Sequence, residues 1–320
     1  MASYTQISLE DAECILKLYN RSGVKSCTPL SLGISNSNYR VELENKEFVL
    51  LKISNDKNQA QLKDEQDILV YLNDCSYPYS LKPYPLKDGQ FIYTYGQYFG
   101  VLFPFVQGIP PGPSDFTCSE VGRAIASLHT LKHDEKKISK LRSHEAVGYG
   151  AEEICDYVKS KNCPEDFKAM FHKLFPDELQ TYLNASKTLE RGIIHGDLYY
   201  DNTLFDHNKI STVLDFEQAG RGEYLLDLGI SISGTCLEKG RVITPLVNSY
   251  LSGYETIRPM PTQEKSLLDQ AIMLGLFSIS LWRIKRFKER NLNPLMENSY
   301  QDLLVRALHY FEMKKQELSS

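Results

Sequence analysis

Asp197, Asn202 and Asp215 lie in a stretch that reads Ile194-His-Gly-Asp-Leu-Tyr-Tyr-Asp-Asn-Thr-Leu-Phe205, a short polar bridge, then Thr212-Val-Leu-Asp-Phe-Glu217. Two carboxylates and an amide oxygen, set on short segments bracketed by apolar β-formers, suit phosphoryl transfer. In that chemistry the protein mainly positions the reactants and neutralises charge. Asp197 can face an acceptor hydroxyl, fix the line of attack and take its proton. Asn202, five positions on, can turn a neutral oxygen to Mg²⁺, which prefers hard oxygen ligands. Asp215, at the end of an apolar strand, supplies the anionic metal ligand. Asp and Asn also form turns and caps; the combined string, not the bare spacing, favours the chemical reading. His195 has no second His or Cys at ligand spacing, so it reads as a structural histidine bonding the loop backbone.

Further upstream, Lys52 sits in Val49-Leu-Leu-Lys-Ile53, where a cation at a strand centre suits contact with the phosphates of ATP. Glu65, in the following helical stretch, is its candidate ion-pair partner, with Asp64 and Asp67 as rivals. The tip Gly33-Ile-Ser35-Asn36-Ser-Asn38 between two β-like segments can fold over phosphates and donate backbone N–H groups, or be a plain hairpin turn. Arg283, Lys285, Arg286, Lys288 and Arg290 end an apolar helix, and positions 283, 286 and 290 share a face on α-helical winding. A cationic helix C-terminus meeting its own dipole explains them; the sharper reading is that Arg283 reaches a substrate carboxylate or phosphate.

These residues must be held by something. The chain has 320 residues, 42% hydrophobic and 24% charged, with a net charge of −5. That is ordinary globular composition, long enough for about two lobes, and it gives no reason to expect nucleic acid as a partner. The polar, acidic N-terminus does not read as a signal peptide. The apolar stretch from Ala271 to Ile284 is too short to span a bilayer, so no membrane is expected. Seven scattered cysteines without a Cys-x-x-Cys point to a reducing, cytoplasmic setting. Oligomeric state is not written in the composition.

Ser8-Leu-Glu-Asp11 opens a capped helix. Three β-like segments follow around residues 30–53, then a helix over 61–72 and two strands at 91–93 and 98–106. Gln107-Gly-Ile-Pro-Pro-Gly-Pro-Ser114 forbids continuous helix or strand. The expected division is therefore residues 1–106, an ATP-binding lobe, and 107–320, a helical catalytic and substrate-binding lobe. Helices are expected over 118–131, 152–160, 164–175, 178–189 and from 225 onward. The fold class is α+β: a small antiparallel-sheet lobe and a larger, mainly helical one.

In this order, His195-Gly-Asp197-Leu-Tyr-Tyr-Asp-Asn202 and Leu214-Asp215-Phe-Glu-Gln-Ala resemble the two signature strings of the aminoglycoside phosphotransferase and choline kinase superfamily. Val121-Gly-Arg-Ala-Ile-Ala-Ser-Leu-His129 resembles the helix that precedes its catalytic loop. Within that group the chain is similar to the bacterial homoserine kinase branch, through Ser31-Leu-Gly33-Ile-Ser-Asn-Ser-Asn38, Val101-Leu-Phe-Pro-Phe-Val-Gln-Gly108, Asp227-Leu-Gly-Ile-Ser-Ile-Ser-Gly-Thr-Cys236 and Tyr254-Glu-Thr-Ile-Arg258-Pro. The resemblance implies a protein-kinase-like two-lobe fold, ATP and Mg²⁺ as cofactors and a small-molecule hydroxyl as acceptor, with L-homoserine leading. It implies that Leu102 to Gln107, including Phe103 and Phe105, holds adenine through backbone groups, and that Gly33, Ser35 and Asn36 belong to the nucleotide site.

The branch usually reads His-Ala-Asp-Leu-Phe-Pro-Asp-Asn, where this chain has Gly196 and Tyr199-Tyr200. Glu217 stands where an aromatic is usual. A choline, ethanolamine or aminoglycoside acceptor therefore stays open. Glu217, Tyr200, Asp227 and Arg283 are the candidate acceptor contacts. GTP as donor stays open as well, and so does a nucleotide-binding pseudokinase acting through protein contacts.

Overall fold

A computed structural model of the chain describes residues 5–30, 36–55, 57–132, 137, 149–177, 179–290 and 293–319. Of the expected nucleotide residues, Gly33 and Ser35 lie outside that set. The chain divides into two compact units, Met1–Gln107 and Gly108–Ser320.

The first unit is built on alternation. In Phe48–Ser54 (β3) Val49, Leu51 and Ile53 are fully buried, so Lys52 belongs to the opposite face of the sheet. Val24–Leu30 (β1), Asn36–Leu43 (β2), Ile92–Tyr95 (β4) and Tyr98–Pro104 (β5) complete a five-stranded sheet of order β1-β2-β3-β5-β4, with every pairing antiparallel. Leu9–Leu18 (α1) starts with a capping box between Ser8 and Asp11 and buries Ala12, Ile15 and Leu16 against the core face. Gln59–Asp74 (α2) starts with a second box, Asn58 with Gln61, and turns Leu62, Glu65, Ile68, Leu69 and Leu72 inward.

The second unit is mainly helical. Asp115–His129 (α3), Ala151–Val158 (α4), Glu165–Leu174 (α5) and Gln180–Ser186 (α6) precede the short strands of the candidate site. Tyr224–Thr235 (α7), Thr244–Glu255 (α8), Thr262–Arg283 (α9) and Tyr300–Glu317 (α10) follow it. Helices α7 and α9 cross at close range. A Cβ on Gly229 would lie 2.1 Å from the Ala271 carbonyl oxygen, and one on Gly275 would lie 2.6 Å from the Ile230 nitrogen.

The sequence expectation for α9 needs correcting. It begins at Thr262 and the helical stretch runs to Glu289, long and apolar enough by length and composition to cross a membrane. Within the fold 72% of its apolar window is buried, so its apolar surface is spent on the core of the unit. A second correction concerns its end. Ile284–Glu289 is wound as π-helix, so the spacing that would put residues 283, 286 and 290 on one α-helical face does not apply.

Candidate active site

The loop begins where Arg191–Ile194 (β6), paired antiparallel with Gly220–Glu223 (β9), runs out. Gly196 follows at φ +76°, in the left-handed region that glycine enters without strain. After a single helical turn at Tyr200–Asn202, the chain folds back as a hairpin of Thr203–Asp206 (β7) and Lys209–Val213 (β8). Thr203 stands opposite Val213, and the Leu214 N–H donates to the Asn202 carbonyl at 2.8 Å. The hairpin thus carries Asn202 and Asp215 to its one open end. The Asn202 side-chain N–H donates to the Asp197 carbonyl oxygen at 2.8 Å, which joins the third residue to them. Asp215 is a non-glycine residue in the left-handed region, φ 61° and ψ 60°, at a cost of about 1 kcal/mol.

Behind the loop sits Asp227 on α7, fully buried. Its carboxylate accepts the N–H of His195 at 2.9 Å and of Gly196 at 2.7 Å. It also accepts a hydrogen bond from His129 Nε2 at 3.0 Å. This corrects the expectation that Asp227 faces an acceptor: its oxygens are spent on holding the catalytic loop. The network continues outward. The Arg258 guanidinium donates to the Tyr254 hydroxyl at 2.9 Å, and that hydroxyl lies 2.9 Å from His129 Nδ1. Arg258 is clamped by Glu264 through two contacts of 2.7 Å and by Glu190 at 2.7 Å. One direction of donation satisfies every step: Arg258 to Tyr254, Tyr254 to His129, His129 to Asp227. His195 has the structural role its sequence suggests. Its Nδ1 accepts the Asp197 N–H at 3.2 Å, so the proton is on Nε2 and is donated to the Leu214 carbonyl at 2.9 Å.

Burial pushes the pKa of His129 below its ordinary 6.5, outweighing the pull of Asp227, and His129 is neutral in the fold. The Asp227 carboxyl is held below its ordinary range despite burial, through His129, His195 and the loop amide. The sign follows. A histidine with a lowered folded pKa contributes stability above its unfolded pKa, because below that value the unfolded chain binds more protons. Stability is therefore lost as pH falls through about 6.5, at up to about 1.4 kcal/mol per pH unit for His129. His129→Gln removes the titration and is expected to flatten this dependence relative to the parent, read as the difference in urea unfolding free energy between pH 7 and 5.5.

Asp197 is the electrostatic focus of the loop. Burial raises its carboxyl pKa well above the ordinary value, and the charges of Asp215, Asp201 and Glu217 raise it further, with Arg283 opposing. Negative charge gathered around one carboxylate is what a divalent cation neutralises. The donor set fits one: with the Asn202 amide nitrogen given to the Asp197 carbonyl, its oxygen is left for a hard cation, at the hairpin end that also carries Asp215.

In the first unit the expected Lys52–Glu65 ion pair is present at 3.0 Å, and Glu65 is buried. The rival Asp67 pairs instead with Lys63 at the surface. Sequence reading missed Lys57, which grips the other Glu65 oxygen at 2.9 Å. A lysine just before a helix cap carries no local mark of such a role. Asn36 opens β2 opposite Ser54, with its side chain buried. Phe103 is embedded in β5 opposite Leu50, and the Phe105 N–H is already given to the Phe48 carbonyl at 3.2 Å. One backbone group of the segment expected to hold adenine, the Phe105 amide, is thus already engaged. Among the described residues, the amides of Val106 and Gln107 are the ones in this segment without an internal acceptor.

The remaining candidates are spread differently. Tyr200 lies in the single turn between Asp197 and Asn202, its carbonyl capped by the Thr203 hydroxyl at 2.6 Å. Glu217, half-buried, is close enough to act on the Asp197 charge. Arg283 donates to the Ser299 carbonyl at 2.8 Å and lies within electrostatic reach of Asp197. Three more of the basic run are engaged locally: Lys285 with Glu289, Arg286 over the Trp282 ring and Lys288 with Glu297.

A protein-family model described as the phosphotransferase enzyme family matches residues 26–260, and the chain belongs to that family. Its members are kinase-like phosphotransferases with a protein-kinase-like α+β fold, and the family implies use of ATP and a divalent metal. The homoserine kinase of Polaromonas naphthalenivorans (strain CJ2) is 27% identical over 307 residues, covering 90% of each chain. A microcompartment-associated aminopropanol kinase superposes with a TM-score of 0.69 at 20% identity, covering 96% of this chain and 98% of the other. The amicoumacin kinase hAmiN, in complex with AMP-PNP, Ca²⁺ and Ami, superposes with a TM-score of 0.61 at 18% identity, covering 90% of this chain and 88% of the other.

Proposed function

We propose that this chain transfers the γ-phosphate of ATP to the hydroxyl of a small molecule, with L-homoserine as the leading acceptor. The observation that carries the reading is the joining of Asp197, Asn202 and Asp215 by the β7–β8 hairpin and the Asn202–Asp197 hydrogen bond, over a loop pinned by Asp227. Asp197 orients the acceptor O–H and takes its proton as the oxygen bonds to phosphorus and the β,γ-bridging P–O bond breaks, releasing ADP. Asn202 and Asp215 would hold Mg²⁺, whose contribution is to neutralise charge on the phosphates. Lys52, fixed by Glu65, supplies a cation to those phosphates. The homoserine assignment draws support from the relative of that name.

A second reading has its own observation. The carboxylates of Asp201 and Glu217 around Asp197 also suit a cationic amino alcohol without a carboxylate. ADP release across L-homoserine, ethanolamine, choline, 1-amino-2-propanol and kanamycin separates the two. Homoserine is expected to give the highest kcat/KM. Turnover of the amino alcohols without turnover of homoserine overturns the acceptor assignment. Nucleotide binding without ADP release for any acceptor overturns the kinase reading in favour of a pseudokinase.

A further inference from the structure

Two arginines and a tyrosine stand beside the catalytic loop with no anionic partner among the described residues. The Tyr199 ring packs on Gly234 near the end of α7, so closely that a Cβ on Gly234 would lie 1.9 Å from the ring. At the neighbouring residue, Arg306 from α10 donates to the Ser233 carbonyl at 3.1 Å, and its Nε donates to the Gly240 carbonyl at 3.0 Å. The Arg306 guanidinium and the Tyr199 ring therefore lie at the same end of α7, Tyr199 two residues in sequence from Asp197. The Tyr199 hydroxyl is buried and has no hydrogen-bonding partner among the described residues. Arg283, which holds the Ser299 carbonyl, acts electrostatically on Asp197, Tyr199 and Arg306 together.

Among the described residues neither Arg283 nor Arg306 forms an ion pair. Asp302, one turn before Arg306 on α10, and Asp197 are the carboxylates whose charge reaches them. Both guanidinium groups are half-buried, and burial lowers the Arg306 pKa, with Arg283 lowering it further. Two like charges and an orphaned hydroxyl are costly to keep partly desolvated beside one another unless a ligand completes them. A planar anion with two oxygens matches guanidinium forks and a phenolic O–H.

We propose that Arg306, Arg283 and the Tyr199 hydroxyl form the seat for a carboxylate carried by the acceptor, making the substrate an amino-acid alcohol rather than a simple amino alcohol. This rests on the phosphotransfer reading and adds to it a specificity-determining pair, Arg306 and Tyr199, that no sequence pattern marked. The acceptor carboxylate sits on the cations, its ammonium faces the Glu217 and Asp201 side, and its hydroxyl reaches Asp197.

The test compares L-homoserine with 3-aminopropan-1-ol, the same molecule without its carboxylate. Calorimetric binding and kcat/KM are measured on the parent, Arg306→Gln and Tyr199→Phe. The parent is expected to prefer L-homoserine. Arg306→Gln is expected to lower the homoserine-to-aminopropanol selectivity by about 100-fold and Tyr199→Phe by about 10-fold, mostly through KM and Kd. Tyr199→Phe removes an unsatisfied hydroxyl and keeps the ring on Gly234, so it keeps the test sound where Arg306→Gln fails to fold. A parent that binds the two compounds alike, or neither, overturns the proposal, as does a selectivity unchanged in the folded variants. Selective homoserine binding by the parent that weakens in the variants supports the seat, even where no phosphate is transferred; that outcome refutes the phosphotransfer reading alone.

Discussion

Asp197→Asn is expected to lower kcat by about 1,000-fold while leaving the fold intact. The substitution keeps size and shape and removes the oxygen that takes the hydroxyl proton. It leaves the Asp197 carbonyl, where Asn202 is anchored, in place. Stability should hold or rise, because the native carboxylate is partly buried among Asp215, Asp201 and Glu217 and bears their repulsion. Steady-state ADP release and a thermal melt check the two halves together. A kcat within about tenfold of the parent would sink the proton-acceptor role, since general-base catalysis supplies at least about that much.

The second large effect is expected at Asp227→Asn, and it should appear first in stability. The amide can accept one loop N–H through its oxygen but turns an N–H₂ toward the others. One buried backbone donor, or the His129 proton, then loses its acceptor. Breaking a buried, charged hydrogen-bond network on one side costs about 3–5 kcal/mol. The loop it leaves loose carries Asp197, and a displacement of about 1 Å there costs on the order of 100-fold in kcat. Urea unfolding gives the stability loss, and amide hydrogen exchange at His195 and Gly196 should speed up in step. A raised acceptor KM with unchanged stability would contradict this and return Asp227 to the substrate-facing role expected from sequence.

The error over Asp227 shows what a sequence can and cannot carry. That Asp197, Asn202 and Asp215 come together was legible because a hairpin is a local device. The sheet and most helices were legible because period and capping residues act over a few positions: Ser8 with Asp11, and Val49, Leu51 and Ile53 against Lys52. Asp227 looks the same in the string whether it faces solvent, substrate or the back of a loop. Its partner His129 is 98 residues away, and no local rule pairs them. Lys57, Arg306 and the Arg258–Glu264 clamp were missed for the same reason. The end of α9 was misjudged because π winding follows from packing rather than from residue type.

The one-way run of donors from Arg258 through Tyr254 and His129 to Asp227 has a consequence for how such a chain can change over evolutionary time. Each member donates a hydrogen bond to the next, so replacing any one strands a buried group on its neighbour. Single substitutions there fall into a stability valley, and compensation requires two or more changes together. Tyr200 and Glu217 stand outside that run. Mutational drift therefore meets a stiff scaffold behind the loop that carries Asp197. On the proposed function, one such loop can serve descendants that phosphorylate different alcohols.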